Sequence, residues 1–390
     1  MTDAVLLAAC RTAIGTARKG TLRDTSAFDL ATVVVREAVR RSGLPLDLID
    51  DVVLGETLAG GGDIARYAAL EAELTHVPGL AHNRHCASGL ASVATAAAGV
   101  LAGMDRAVVA GGTQSSSTAP QARRRIPGTD DWQDPWSSPS HAPTQEAPNN
   151  DMATLVGWNT ARLAGISRQD MDSWALRSHQ RAVRAIDEGQ FVDEIVPVDV
   201  TDRSGSVSVF DTDEHPRRDT SIEKLAALKA LRPEIEGYSI TAGNSSGVND
   251  GSAAVVVASS EIAARHGLAP LATVRSWASV GVDPVETGLA PIAAIRKALD
   301  RAGLRIEDVD LFEINEAFAA VTVAATRELG LDAERVNPFG SGCSLGHPIA
   351  TTGTRMIVTL AHELRRRGGG TAVAAMCAGG GMGSAMVLTV

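Results

Sequence analysis

Aromatic side chains are scarce, with six Phe, five Trp and two Tyr in 390 residues. A core for a chain of this length must then be built from Ala, Val, Leu and Ile. Cysteine is scarce as well. Cys10, Cys86, Cys343 and Cys377 are too few for a disulfide framework, and no CxxC pair offers zinc its usual scaffold. Reduced thiols are expected, so the question is which are inert and which reactive. Long basic stretches are absent and the net charge is −10, which argues against nucleic acid as the main partner. Neither a basic, apolar leader nor a peroxisomal C-terminal tripeptide is seen, so a cytoplasmic location is expected. The longest uncharged stretch, Cys86 to Met104, is mostly Ala, Gly, Ser and Thr. It reads as a buried helix rather than a membrane span.

Glycine is abundant, at 38 residues, about a tenth of the chain against a usual share of roughly 7%. Small residues in such numbers mean backbones that approach closely, or loops that hug a ligand. The length suggests two or three domains. Strand-like runs alternate with amphipathic helical ones, which is an α/β pattern. AVLLAAC (Ala4 to Cys10), DVVLGETL (Asp51 to Leu58) and RAVVAGG (Arg106 to Gly112) read as strands. Phe28 to Gly43 and the Cys86–Met104 run read as helices. A similar order recurs in the second half, with a helix over Pro291–Leu304, a strand from Val309, a glycine-rich turn and long helix from Val336, and a strand from Thr371. This suggests a structural duplication. Between the halves, Gln114 to about Asn150 is aperiodic and rich in Pro, Ser, Asp and Trp. Disorder would not concentrate aromatics, so an ordered excursion packed on the body is expected. The helix after it has Ser167 as N-cap with Asp170 three residues on.

Three motifs mislead. GSGCSLG at Gly340 approximates a dinucleotide-binding pattern, but its third glycine is one residue late and no strand precedes it. GNSSG (Gly243 to Gly247) matches GxSxG, yet a strand follows instead of the helix that a nucleophile elbow needs. His82, His85 and Cys86 lack a distant fourth ligand for a metal. The basic triplets Arg123–Arg125 and Arg365–Arg367 read as solvated surface, with phosphate binding an alternative for the first.

Other positions carry chemistry. Cys86 stands where a polar turn becomes an uncharged helix, and a helix N-terminus is expected to lower its pKa. Cys377 ends a strand before Gly379–Gly381, whose amides can line a pocket for negative charge. Gly346 and Pro348 hold His347 just before a helix, a placement that suits a general base. Asn315 and Glu316 lie where a buried strand leaves the core. Taken singly, each residue has an ordinary reading as core or turn.

Together the motifs resemble the thiolase family, the acetyl-CoA acetyltransferases and 3-ketoacyl-CoA thiolases. The resemblance covers the whole chain and rests on NRHCASG, TAGNSSGVNDGSAA, INEAF, LGHP and CAGGG in that order. It implies duplicated βαβαβαββ halves stacked as a five-layered αβαβα sandwich. The N-terminal half would span 1–115 and 240–265, an inserted CoA-binding loop domain 116–239, and the C-terminal half 266–390. It implies Cys86 as the acylated nucleophile, His347 as its proton acceptor, Asn315 as holder of a water in one oxyanion hole, and Cys377 as acid and base. The backbone amides of Cys86 and Gly379 would form a second oxyanion hole. Ala242, Ser246 and Met152 would bind CoA, Phe318 would line the acyl pocket, and Arg217 would meet the nucleotide end. Coenzyme A thioesters are implied as substrates, with no tightly bound cofactor or metal, and a homodimer or homotetramer is implied as the assembly. The chain departs from the family at GGTQSSST, with Thr113 and Gln114, at Asn149–Met152, and at SGCS, which holds Cys343. The alternatives are a non-catalytic CoA- or lipid-binding member and a carrier-protein condensing enzyme. The intact Cys86, His347 and Cys377 count against the first, and the CAGGG cysteine against the second.

Overall fold

A computed structural model describes residues 2–59, 61–149 and 152–390, with the side chains of 152–154 outside the description. The N-terminal half provides β1 (Ala4–Thr12), α1 (Ala27–Ser42), β2 (Ile49–Gly55), α2 (Ile64–Glu71), β3 (Gly79–His82), α3 (Ser88–Leu101) and β4 (Ala107–Gln114). Two helices follow the aperiodic stretch, α4 (Met152–Leu163) and α5 (Arg168–Asp187). Strand β5 (Asn249–Ser259) returns to the body. The second half provides β6 (Ala272–Gly281), α6 (Ala290–Ala302), β7 (Leu311–Ile314), α7 (Ala319–Glu328), α8 (Thr352–Arg367), β8 (Thr371–Ala378) and β9 (Met382–Thr389). The strand expected over Asp51–Leu58 starts two residues earlier and stops at Gly55, where residues 56–58 bend out of the ladder.

The strands run in the order β7-β8-β9-β6-β1-β5-β4-β2-β3. Each half uses the same pairing. In the first, β2 and β4 are parallel, and β4, β5 and β1 continue antiparallel. In the second, β7 and β8 are parallel, and β8, β9 and β6 continue antiparallel. The halves join at only two register pairs between β1 and β6, Val5 with Thr273 and Leu6 with Ala272. At that seam the halves are free to fold face to face.

Side-chain clusters reveal the layers. α3 (Val93, Ala96, Ala97) and α8 (Met356, Ile357, Leu360) share one core with strand residues of both halves, such as Val255 and Ala374. These two helices form the middle layer. α1 and α2 cover the outer face of the first sheet, and α6 and part of α7 that of the second. Strands β1, β4, β5 and β7 are buried on both faces, so they read as continuous apolar runs instead of alternating ones. The result is an α/β sandwich of five layers. No helix among the described residues is long and apolar enough to cross a membrane.

The middle helices touch through glycine. A Cβ on Gly89 would lie 2.7 Å from the Thr354 nitrogen, and one on Gly353 would lie 2.5 Å from the Leu90 nitrogen. Backbone thus meets backbone, and the two helix starts are drawn together. We expect Gly353→Ala to destabilise the fold by about 1–3 kcal/mol, since neither backbone can yield cheaply. A denaturant midpoint equal to that of the parent chain would contradict this packing.

Between Gln114 and Asn149 regular structure is limited to the short strands Arg124–Arg125 and Trp132–Gln133. Arg123 lies over the Trp132 ring at 4.7 Å and Arg124 over Trp136 at 5.4 Å, so the first basic triplet packs on the tryptophans. Further on, buried Arg11 of β1 pairs with Glu194 at 2.6 Å and Asp213 at 2.8 Å. These pairs tie the segment after α5 to the sheet. Removing one partner of such a pair costs about 3–5 kcal/mol, because the other charge stays buried. The capping box at Ser167 and Asp170 forms as expected.

Candidate active site

The starts of α3 and α8 and the end of β8 converge on one cavity of about 390 Å³. Its wall includes His85, Cys86, Ser246, Phe318, His347, Cys377 and Gly379. Three residues far apart in sequence thus bring sulfur, imidazole and sulfur to one space.

Cys86 sits on a tight turn. The Asn83 Oδ1 accepts from the His85 amide at 2.7 Å. The Ser88 hydroxyl accepts from the Arg84 amide at 2.8 Å and donates to the His85 carbonyl at 2.7 Å. Gly55 leaves room for Ser88, since a Cβ there would lie 2.6 Å from the Ser88 Cβ. The thiol is then held two residues before α3, at the cavity. Its pKa is raised, not lowered. Burial pushes it up to about 11, against amide hydrogen bonds from Gly379 and from Cys86 itself that favour the thiolate. A helix terminus is worth about 0.3–1 kcal/mol at an exposed site, too little to offset desolvation of a thiolate.

His347 is clamped on three sides. Its backbone amide donates to Asn249 Oδ1 at 3.0 Å. Gly346 has φ +97, and a Cβ there would lie 2.5 Å from the Asn249 side chain, so only glycine fits. Nδ1 lies 2.7 Å from the Thr352 hydroxyl, which in turn donates to the Pro348 carbonyl at 2.9 Å. A hydroxyl has one proton, and the carbonyl can only accept. Nδ1 therefore carries hydrogen and donates to Thr352, a tautomer assigned from this network. Nε2 keeps its lone pair and has no hydrogen-bond partner among the described residues. Burial, with a smaller contribution from Arg355, lowers the His347 pKa to about 4, so the ring is neutral at pH 7. Thr352 is the positioning residue for this base. We expect Thr352→Val to slow acyl transfer by about ten- to a hundredfold, the loss expected for one hydrogen bond of 1–3 kcal/mol. Thr352→Ser should restore most of the rate. A Val variant at full rate would remove Thr352 from the account.

Asn315 follows β7, its amide donating to the Ala375 carbonyl at 2.9 Å and its Nδ2 lying 3.4 Å from His347 Nδ1. It is fully buried, and its Oδ1 has no partner among the described residues. Glu316 fixes the surrounding loops. Its carboxylate accepts from Trp174 at 2.8 Å, Ser178 at 2.6 Å, Asn337 at 2.7 Å and the Cys343 amide at 3.2 Å. Cys343 is buried and lies in the same core cluster as Phe318 and Cys377. Burial also raises the Cys377 pKa, and the charge of Cys86 raises it further, so the two thiols sense each other. After Cys377 the chain turns sharply. Gly381, at φ +78, would bring a Cβ within 2.2 Å of the Val282 carbonyl.

Not every expected residue reaches the cavity. Ser246 and Phe318 line it, and Gly157 of α4 makes room for the Phe318 ring. Ala242 is exposed and is not part of the cavity wall. Arg217 lines a separate cavity of about 350 Å³ with Arg184 and Arg218. Met152 falls outside the residues whose side chains are described. Residues not foreseen include Val156, Leu231, Thr287 and Ile349 on the wall, and Thr352 and Asn249 behind His347. The misleading motifs resolve as follows. Gly342–Leu345 is one buried helical turn, Ser245 donates to the Thr241 carbonyl at 2.7 Å, and His82 bonds Ser92 at 2.9 Å. Among the described residues no cluster of three metal-ligating side chains occurs.

Family models described as "Thiolase, N-terminal domain" and "Thiolase, C-terminal domain" match residues 4–261 and 268–390. An acetyl-CoA acetyltransferase of Pseudomonas aeruginosa is 41% identical, covering 100% of this chain and 99% of the relative. A 3-oxoadipyl-CoA/3-oxo-5,6-dehydrosuberyl-CoA thiolase of Escherichia coli is 42% identical, with the same coverage. The crystal structure of a Bacillus anthracis acetyl-CoA acetyltransferase superposes with a TM-score of 0.90 at 40% identity, covering 100% of this chain and 99% of that one.

Proposed function

The chain belongs to the thiolase family, and on that premise we propose that it makes and breaks the carbon–carbon bond of 3-ketoacyl-CoA through an acyl group on Cys86. It is an acyltransferase acting on CoA thioesters. One observation carries the finer reading. Cys86, His347, Cys377 and Gly379 share one cavity, and the Gly379 amide is directed at the Cys86 sulfur.

In cleavage, Cys86 attacks the 3-keto carbonyl while His347 Nε2 takes the thiol proton. Both groups are neutral at rest, so proton transfer accompanies attack. The Cys86 and Gly379 amides stabilise the oxyanion, each donor contributing about 2.7–4 kcal/mol. The bond between the α-carbon and the former keto carbon then breaks. Its electrons form the enolate of acetyl-CoA, which Cys377 protonates. The raised pKa of Cys377 keeps this acid protonated until needed. CoA enters, loses its thiol proton to the Cys377 thiolate, and attacks acyl-Cys86, which leaves as the thiol by recovering the proton from His347. In synthesis the steps run in reverse. Asn315 holds a water beside the enolate oxygen in this scheme, which its unpartnered Oδ1 supports.

The domain division at 116–239 and the CoA contacts of Ser246, Ala242, Met152 and Arg217 belong to the same reading. Arg217 with Arg184 offers positive charge for the nucleotide end. A homodimer or homotetramer is part of the reading as well. It is supported by β3, which ends the sheet with Leu80 43% exposed near exposed Tyr67 and Leu70. Incubation of the chain with acetoacetyl-CoA and CoA tests the activity. Loss of the 3-keto thioester with formation of two acetyl-CoA is expected. No turnover of any 3-ketoacyl-CoA would overturn it.

A further inference from the structure

We propose that His85 is a specificity-determining residue, selecting 3-ketoacyl chains that end in a carboxylate over alkyl chains of equal length. This rests on the acyl-Cys86 reading above.

His85 precedes the nucleophile and lines the same cavity. Its backbone has φ +48, in the left-handed region that few non-glycine residues adopt. The Asn83 and Ser88 hydrogen bonds hold it there. Its imidazole is half-buried and makes no hydrogen bond among the described residues, whereas His82, His141 and His347 all do. Among the described residues the rest of the wall is largely apolar, with Val156, Ala317, Phe318 and Ile349, and holds no Asp, Glu, Lys or Arg.

His141 lies close enough to this ring to act on it electrostatically. It belongs to the loop whose Ser140 packs on Gly380, since a Cβ there would lie 3.0 Å from the Ser140 Cβ. Burial and His141 hold the His85 pKa below its usual value. The ring is therefore a neutral N–H donor at a largely apolar cavity. A substrate carboxylate would accept from it and favour its protonated form, a charge-assisted bond. An alkyl chain would leave a desolvated imidazole without a partner. Sites built to hydrogen-bond a substrate reject the analogue that lacks the group, which gives the discrimination.

The test compares kcat/KM for thiolysis of two six-carbon 3-oxoacyl-CoA thioesters, one ending in carboxylate and one in methyl. The parent chain should favour the carboxylate by about tenfold or more. His85→Leu should bring the ratio near unity. His85→Asn, which tolerates the left-handed backbone and keeps an N–H donor, should retain a clear preference. Mass analysis of acetyl-Cys86 in each variant reports whether the site is folded. A parent ratio at or below one, or a ratio unchanged in a folded His85→Leu, would overturn the proposal. Absence of acetyl-Cys86 and of acetoacetyl-CoA cleavage in the parent chain would instead sink the underlying thiolase mechanism, and the proposal with it.

Discussion

Cys377→Ala should keep acyl exchange at Cys86 while losing carbon–carbon chemistry by about 10²–10⁴-fold, the contribution of one positioned acid–base group. The two half-reactions make different demands. Acyl transfer between CoA and Cys86 exchanges one thioester for another, and its one mobile proton can pass between Cys86 and CoA through His347; Cys377 serves as base for CoA only in cleavage, where protonating the enolate has left it a thiolate. Bond cleavage also needs a proton on the enolate carbon. Cys377 is the titratable group at the end of β8 on the cavity wall, and its burial keeps the proton available. Exchange of labelled CoA into acetyl-CoA reports the first half, and cleavage of acetoacetyl-CoA the second. Equal loss of both would mean that Cys377 shapes the pocket and is not the acid.

His347→Ala should depress both half-reactions, by at least about 10²–10⁴-fold. With a pKa of about 11, only about one Cys86 in ten thousand is thiolate at pH 7. The attack therefore depends on a base, and His347 Nε2 is the unpartnered one. Its pKa of about 4 gives the pH dependence its sign. The neutral, active ring persists as pH falls through 6.5, so the acid limb of kcat/KM should lie well below the ordinary imidazole value. An acid limb at 6.5 would contradict the assignment. Buried neutral imidazoles also weaken the fold in acid. His179, His215 and His347 all have pKa values lowered to about 4, so protonation favours the unfolded chain, and stability falls as pH drops below 6.5. A rapid pH jump separates the two effects.

The outline of the site was legible because it is local. Cys86, Gly346–Pro348 and Cys377–Gly381 each carry a turn signature within a few residues, and each turn forms. The repeated order of helix and strand was legible for the same reason, as apolar runs and glycine stops mark each element. What escaped depends on contacts across the fold. Asn249 clamps His347 from 98 positions away, and nothing in NDGSAA announces it. Thr352 looks like an ordinary first-turn residue until Pro348 and His347 flank its hydroxyl. The pKa of Cys86 had the wrong expected sign because a helix start is visible in sequence and the depth of burial is not. Arg217 and Ala242 were placed by resemblance, and where they sit depends on contacts across the fold.

Acylation of Cys86 is the central claim, and intact-mass analysis after incubation with acetyl-CoA tests it most directly. The account predicts one acetyl group per chain, mapped by peptide mass to Cys86, released by added CoA, and absent in Cys86→Ala. An adduct on Cys343, Cys377 or any other residue, or none with any acyl-CoA, would contradict it.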